Sequence, residues 1–459
     1  MDKNGAAEES VKKHIVLVDN ELKIIEHVIE ETDWIVECLI TINSKNKYSD
    51  NPRIKKIYAE SDFLNNKCLK GFDYYDLNHL WHAQLRMENC FNRFLADYQI
   101  AKWNFYRGYA LVKRIFNSKK IDLVIVKGFN HGYAWDRLLT DFATYKKINN
   151  YNVEDMLYNT RTVYNNYKQS LVEVNNDYKL DIKASLFYKE EYDGKRFGTD
   201  IWSWIYKLGY HFFGSLGVDA IKCIRYKDLG EDRMGVTILE RIAQYKKIVK
   251  MKKFASAVSE KLDVQRKYIC YMLHFEPEAT VAGRSLMDSQ IVAINMIASN
   301  LPKDWILYVK EHPSQYMVNR TNFYNYLYGV AVFKTKRFYK EISSIKNVRL
   351  LRSDISNKLV IQNCQAMATL SGTVAAEAVT FGKPVMVFSP ERTIYSLSKG
   401  FYKIYSFEDC REAVKKIIGH EAIDYSDFND VCQKYLIDFS DEKYGFKKAV
   451  ESIKHDIMK

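Results

Sequence analysis

Four short segments concentrate side chains that bind phosphate, hold hydroxyls or move protons. Ala368 to Phe388 reads ATLSGTVAAEAVTFGKPVMVF, an apolar run ending at Leu370, then Ser371, Gly372 and Thr373 at the opening of a helical stretch. Glycine lets backbone approach a ligand closely, and hydroxyls beside free helical amides bind phosphate. Glu377, one turn into that helix, is placed to accept bonds from ribose or sugar hydroxyls. The same residues also suit a plain helix cap followed by a surface glutamate. Trp305 to Pro313, WILYVKEHP, delivers Lys310, Glu311 and His312 at the end of a buried run, with Pro313 fixing the turn. His312 can hydrogen-bond a phosphate or a base, and Lys310 adds charge. Leu273 to Gln290, LHFEPEATVAGRSLMDSQ, gathers Glu276, Glu278, Thr280, Arg284 and Gln290. Arg284 suits phosphate or carboxylate recognition, although a solvated loop would carry similar charges. KGFNHGYAWDR, Lys127 to Arg137, adds His131 and Asp136, either of which can take the proton of an incoming hydroxyl.

These segments need elements to position them. HIVLVD, His14 to Asp19, is strand-like, and Asn20 suits the cap of a following helix. Trp34 to Ile42, Ile54 to Glu60 and Ile121 to Phe129 read as further strands, with a long aromatic-rich helix from Tyr74 to Asn117 and another helix from Tyr133. A second series starts at Tyr268: YICYMLHF, a helix Ser285 to Asn300, WILYVKEHP, NVRLL, a helix Asp354 to Cys364 capped by Asp354 or Ser356, AMATLSG, a helix from Thr373 to Gly382, and PVMVFS. Strands alternating with helices predict parallel, doubly wound sheets. The expected architecture is α/β, with two Rossmann-like domains at 1–262 and 263–459 and a helical tail from Asp427 inside the second. Ligands in such sheets bind at the carboxyl ends of the strands.

The stretch between them, 150–261, carries IWSWIYKLGYHFFGSLGV, Ile201 to Val218, whose aromatic run from Trp202 to Phe213 suits sugar stacking, a membrane interface or a core. It also carries a basic helix, Ile238 to Leu262. Ile238, Ile242, Tyr245 and Val249 share one face there, with Lys246, Lys247, Lys250 and Lys253 beside it.

Lys plus Arg is 69 against 57 Asp plus Glu, a net charge of +12 over 459 residues, which favours partners bearing phosphate. No RRM, KH, helix-turn-helix or zinc-finger pattern is present and the basic residues are dispersed, so nucleic acid is not an expected partner. A non-enzymatic membrane- or nucleic-acid-binding protein is the alternative the charge alone would suggest. The eight cysteines form no CxxC pair and sit in apolar runs, as buried free thiols of a reducing compartment do. With no apolar signal core at the start and no run long enough to span a bilayer, the expected location is the cytoplasm.

LHFEPEAT, KEHP and LSGTVAAEAVTFGKPV, in that order, resemble the capsule polysaccharide biosynthesis family, which includes transferases of Kdo, a 3-deoxy-octulosonic acid. The resemblance covers about 268–390 and reaches more weakly to IDLVIVKGFNHGYAWD. Asn130 stands where proline is expected and Glu276 where glutamine is expected. The His-Pro and Ser-Gly-Thr pieces are also similar to motifs of bacterial sialyltransferases that bind CMP-activated sugars. The resemblance implies a GT-B glycosyltransferase with two facing domains, the second holding a nucleotide-sugar donor and the first a glycan or lipid-linked acceptor at the inner membrane face. It implies that His312 and Pro313 contact the nucleotide, that Ser371, Gly372 and Thr373 hold phosphate and that Glu377 anchors a hydroxyl. Lys310, Arg284 and Gln290 complete the donor set, and Glu278, His131 and Asp136 are the catalytic candidates. No metal or other cofactor is expected, since such folds meet the leaving phosphate with amides and basic residues and no DxD pair ends a strand. Nucleotide-sugar 2-epimerases share this architecture and are the nearest rival.

Overall fold

A computed structural model describes residues 12–41, 45–59, 62–63, 69, 72–95, 97–127, 135–157, 159–176, 179, 204–205, 208, 238–276, 285–312, 315–316 and 333–459. The described residues divide between two compact units. Those within 1–85, 103–180 and 433–459 form the first, and those within 86–102 and 181–432 form the second.

In the first unit, β1 (His14–Val18), β2 (Ile35–Thr41), β3 (Ile57–Ala59), β4 (Leu123–Lys127) and β5 (Asn149–Asp155) run parallel in the order β3-β2-β1-β4-β5. The Val, Ile and Leu runs of β1 and β4 are what strands covered on both faces require. β6 (Thr160–Asn165) and β7 (Ser170–Leu171) extend the sheet antiparallel beyond β5, in the stretch whose pattern is hardest to read. α1 (Ile24–Glu31) starts later than the Asn20 cap implies: the buried Asp19 carboxylate accepts the Ile25 amide at 2.9 Å, and Leu22 turns the chain at φ 59°. The predicted long helix is two, α2 (Leu77–Leu95) and α3 (Tyr98–Ser118), of which residues 86–102 count with the second unit. Asp97 separates them, its Oδ1 accepting the Gln99 and Ile100 amides at 3.0 and 3.1 Å as an N-terminal cap does. α4 (Trp135–Tyr145) follows β4.

Beyond 86–102, the second unit contains α5 (Ile238–Ala257), β8 (Tyr268–Met272), α6 (Gln290–Asn300), β9 (Ile306–Lys310), α7 (Lys336–Ser344) and β10 (Val348–Leu351). Next come α8 (Asn357–Asn363), β11 (Ala366–Thr369), α9 (Val374–Thr380), β12 (Val385–Val387), β13 (Phe401–Lys403), α10 (Phe407–Ile418) and α11 (Phe428–Tyr435). Its six strands are all parallel, in the order β10-β9-β8-β11-β12-β13. Numbered within the unit this is 3-2-1-4-5-6, the doubly wound dinucleotide-fold order. The expected α/β class with parallel sheets is what the chain adopts.

Two sequence boundaries change. The tail, β14 (Ile437–Asp438) and α12 (Glu442–Met458), belongs to the first unit and not to the second. β14 pairs antiparallel with β6, and Phe446, Ala449, Val450 and Ile453 of α12 bury against Ile24, Ile25 and Val28 of α1. An amphipathic helix goes where its apolar stripe finds cover. α5 lies within the second unit, so the division falls before 238 and not at 262. Its buried residues are Ile248, Met251 and Ala255, with Val249 only half-buried. The side chains of Ile238, Ile242 and Tyr245 lie outside the description, and Lys246, Lys247, Lys250 and Lys253 are exposed. Of the aromatic run, only Trp204, Ile205 and Leu208 are described. Cys38, Cys90, Cys270, Cys364, Cys410 and Cys432 are buried free thiols. Among the described residues no helix is long and apolar enough to cross a membrane.

Candidate functional site

The strand order of the second sheet reverses between β8 and β11, and a doubly wound sheet opens a crevice beyond the carboxyl ends of such a pair. Ala368 of β11 pairs with Tyr271 of β8. Three residues further along each chain come Ser371 and His274, side by side past the strand ends. Ile269, Tyr271 and Leu273, like Ala366, Ala368 and Leu370, point into the core. Alternation therefore turns His274, Thr369 and Ser371 to the opposite face.

There they lock together. The Ser371 amide donates to His274 Nε2 at 3.2 Å, and Thr369 Oγ1 lies 3.2 Å from the same nitrogen. The Gly372 amide donates to Thr369 Oγ1 at 3.3 Å, and the Tyr395 hydroxyl donates to the Gly372 carbonyl at 3.2 Å. Neither neighbouring hydroxyl caps α9. Thr373 stands before the helix with no side-chain cap bond, and Ser371 Oγ is buried without a hydrogen-bond partner. The plain-cap explanation of Ser-Gly-Thr thus does not hold for its side chains. Within the first turn of α9 the Ala375 amide donates to the Gly372 carbonyl at 3.1 Å and the Ala376 amide to the Thr373 carbonyl at 3.0 Å. Glu377 is half-buried in the first turn of α9.

Behind this turn runs a buried polar network. The His274 amide donates to Gln290 Oε1 at 2.7 Å, and the Gln290 amide group donates to Glu276 Oε1. Glu276 and Gln315 are tied twice: the Glu276 amide donates to Gln315 Oε1 at 2.9 Å, and Gln315 Nε2 donates to the Glu276 carbonyl at 2.7 Å. Lys334, fully buried, donates to the His274 carbonyl at 2.6 Å and to Glu311 Oε1 at 2.7 Å. Glu311 also accepts the His312 amide at 2.8 Å and the Tyr339 hydroxyl, onto which Tyr316 donates.

Burial raises the Glu276 carboxyl above its ordinary value of 4.5, against the lowering pull of Lys334 and the Gln290 bond and with a further push from Glu311. The folded protein then keeps a proton here that the unfolded chain has lost, so folding stability falls as pH rises from about 4.5 through the native titration range. Glu276→Gln keeps the acceptor for Gln290 and removes the titration. The stability of wild type minus that of the variant should decrease over that range and then level off. A difference independent of pH in chemical denaturation would contradict this.

The residues picked out in the sequence divide sharply. Gln290, Ser371 and Gly372 lie at the switch point, joined through His274 and Thr369, with Thr373 next in the chain, and His312 follows Glu311 at the edge of the network with its ring 6.1 Å from that of Phe275. Lys310 does not offer its charge there. It is buried, its Nζ lies 3.5 Å from the Ser353 carbonyl, and burial lowers it below the ordinary lysine range. Asp136 is buried in the first turn of α4 in the first unit. His131, Glu278, Thr280, Arg284 and Pro313 lie outside the described residues. Sequence reasoning passed over His274, Thr369 and Lys334. Strand parity signals the first two, since both fall on the non-core face at their strand ends. Lys334 has no local signal. One group of potential metal ligands occurs among the described residues, His27, Glu30 and Glu31 on α1 of the first unit.

Residues 224–398 match the model of a family described as capsule polysaccharide biosynthesis protein. The match spans less than half of the chain. The matched segment contains His274, Gln290, Glu311, His312, Lys334 and the Ser371 to Thr373 turn, so the network and the switch point lie within it. No curated protein matches the chain in sequence. Among solved structures, the chain is similar to UDP-GlcNAc 2-epimerase from Methanocaldococcus jannaschii at 14% identity and TM-score 0.27, covering 97% of this chain and 99% of that one. It is similar to UDP-GlcNAc 2-epimerase from Neisseria meningitidis at 15% identity and TM-score 0.26, covering 97% and 99%. It is similar to Thermosulfurimonas dismutans KpsC, a beta Kdo 2,7 transferase, at 11% identity and TM-score 0.28, covering 66% and 79%. At such TM-scores none of these likenesses bears on which reaction the chain performs.

Proposed function

We propose that the chain is a GT-B glycosyltransferase of surface polysaccharide assembly. The second unit binds a nucleotide-sugar donor at the β8–β11 switch point, and the first serves a glycan or lipid-linked acceptor at the inner membrane face. The favoured donor is a CMP-activated keto-sugar such as CMP-Kdo. The family match over 224–398 supports a role in making a polysaccharide. The observation that carries the donor site is the Ser371-Gly372-Thr373 turn, which lies at a doubly wound switch point with both hydroxyls left out of helix capping. His312 and Pro313 contact the nucleotide in this reading, Ser371, Gly372 and Thr373 hold its phosphate, and Glu377 holds a hydroxyl, with Arg284 and Gln290 completing the site.

In the proposed reaction an acceptor hydroxyl loses its proton to a general base and its oxygen attacks the anomeric carbon. The bond from that carbon to the phosphate oxygen breaks, and the nucleotide departs with the electron pair. Glu278, His131 and Asp136 are the candidates for the base. Helix amides meet the charge on the leaving phosphate without a metal, so chelator should leave turnover intact.

The test is release of CMP from CMP-Kdo in the presence of a glycan or lipid extract. Ser371→Ala and His312→Ala should each abolish it while leaving the circular dichroism spectrum unchanged. Full turnover by both variants would remove the site assignment.

A further inference from the structure

We propose that His274 is a positioning residue for the donor-binding turn, an unprotonated Nε2 holding the Ser371 amide directly and the Gly372 amide through Thr369. This rests on the donor-site reading above. The ring lies 3.2 Å from both the Ser371 amide and Thr369 Oγ1, and Thr369 in turn accepts the Gly372 amide at 3.3 Å. Accepting an N–H requires a lone pair on Nε2, so the neutral ring carries its hydrogen on Nδ1. Thr369, already accepting from Gly372, directs its own hydroxyl proton at the same lone pair. Three polar groups of the turn thus depend on one nitrogen.

The histidine is itself held at both ends of its peptide unit. Its amide donates to Gln290 at 2.7 Å and its carbonyl accepts Lys334 at 2.6 Å. The charged groups that surround it among the described residues are Glu276 and Lys334, with Glu311 behind the lysine. Buried to 7% exposure, His274 acts on a ligand through the turn it shapes.

The test uses the full chain, two variants and two readouts. His274→Gln places an amide oxygen where Nε2 stood, whereas His274→Phe fills the space and offers no acceptor. In nucleotide titration calorimetry, His274→Phe should weaken binding on the order of 10- to 100-fold, the effect of leaving buried polar groups unsatisfied. His274→Gln should bind within about threefold of wild type, an acceptor having been restored. Imidazole 15N spectra of the ligand-free protein should show His274 with Nε2 unprotonated. Binding by His274→Phe equal to wild type, or by His274→Gln as poor as His274→Phe, would overturn the positioning role, and so would a proton on Nε2. Failure of wild type to bind any nucleotide would instead overturn the donor-site reading, while the spectra still decide which nitrogen accepts.

Discussion

Lys334→Met should destabilise the protein by about 3–5 kcal/mol, the usual cost of breaking a buried ion pair from one side. Lys334 has no exposed surface and is bonded to Glu311 at 2.7 Å and to the His274 carbonyl at 2.6 Å. Its loss leaves a buried carboxylate with only the Tyr339 hydroxyl, itself accepting from Tyr316, and the His312 amide, none of which carries a compensating charge. Methionine matches the length of the lysine stem, so lost packing contributes little. Pairing the change with Glu311→Gln removes the stranded charge and should recover most of the stability, because the penalty belongs to the unpaired partner and not to the missing bond. Chemical denaturation of the two variants separates the outcomes. A single variant within about 1 kcal/mol of wild type would mean that the pair is a minor, exposed-type interaction.

Gly372→Val should reduce nucleotide affinity on the order of 10²-fold, the cost of leaving the turn's buried polar groups unsatisfied. Even a Cβ at 372 would come 3.0 Å from Thr369 Oγ1 and 3.5 Å from His274 Nε2, closer than the first of these neighbours comfortably allows. Both atoms are themselves fixed, Thr369 by its strand and His274 by Gln290 and Lys334, so the turn must give way. A branched side chain adds two further methyl groups in the same space. Gly372→Ala, with only the Cβ, should fall between wild type and valine. Calorimetry on all three forms the series, and equal affinity across it would place nucleotide binding elsewhere.

Five of the second sheet's six strands were legible because they are mostly apolar runs separated by helix-length segments, as in YICYMLHF, WILYVKEHP and AMATLSG, whereas β13, only three residues ending in Lys403, carries no such signal. Ser371 and Gly372 were legible for the same reason: a small-residue turn after a buried strand is a local pattern. The tail was not. The Phe446, Ala449, Val450 and Ile453 stripe announces a helix but says nothing of which sheet will cover it, and the covering residues on α1 lie more than four hundred positions earlier. Lys310 misled because its place at a strand end is local, whereas the direction of its side chain toward Ser353 depends on the loop after β10. Lys334 escaped altogether, since its partners Glu311 and His274 are brought to it only by the fold.

The most direct measurement is thermal denaturation of the wild-type chain with CMP, CDP, UDP and GDP and their sugar conjugates, since a ligand that binds only the folded state raises the melting temperature. The proposed function predicts a selective rise with CMP and CMP-sugars that disappears in Ser371→Ala and Gly372→Val. A rise with no nucleotide, or one that survives both substitutions, would contradict a donor site at the β8–β11 switch point.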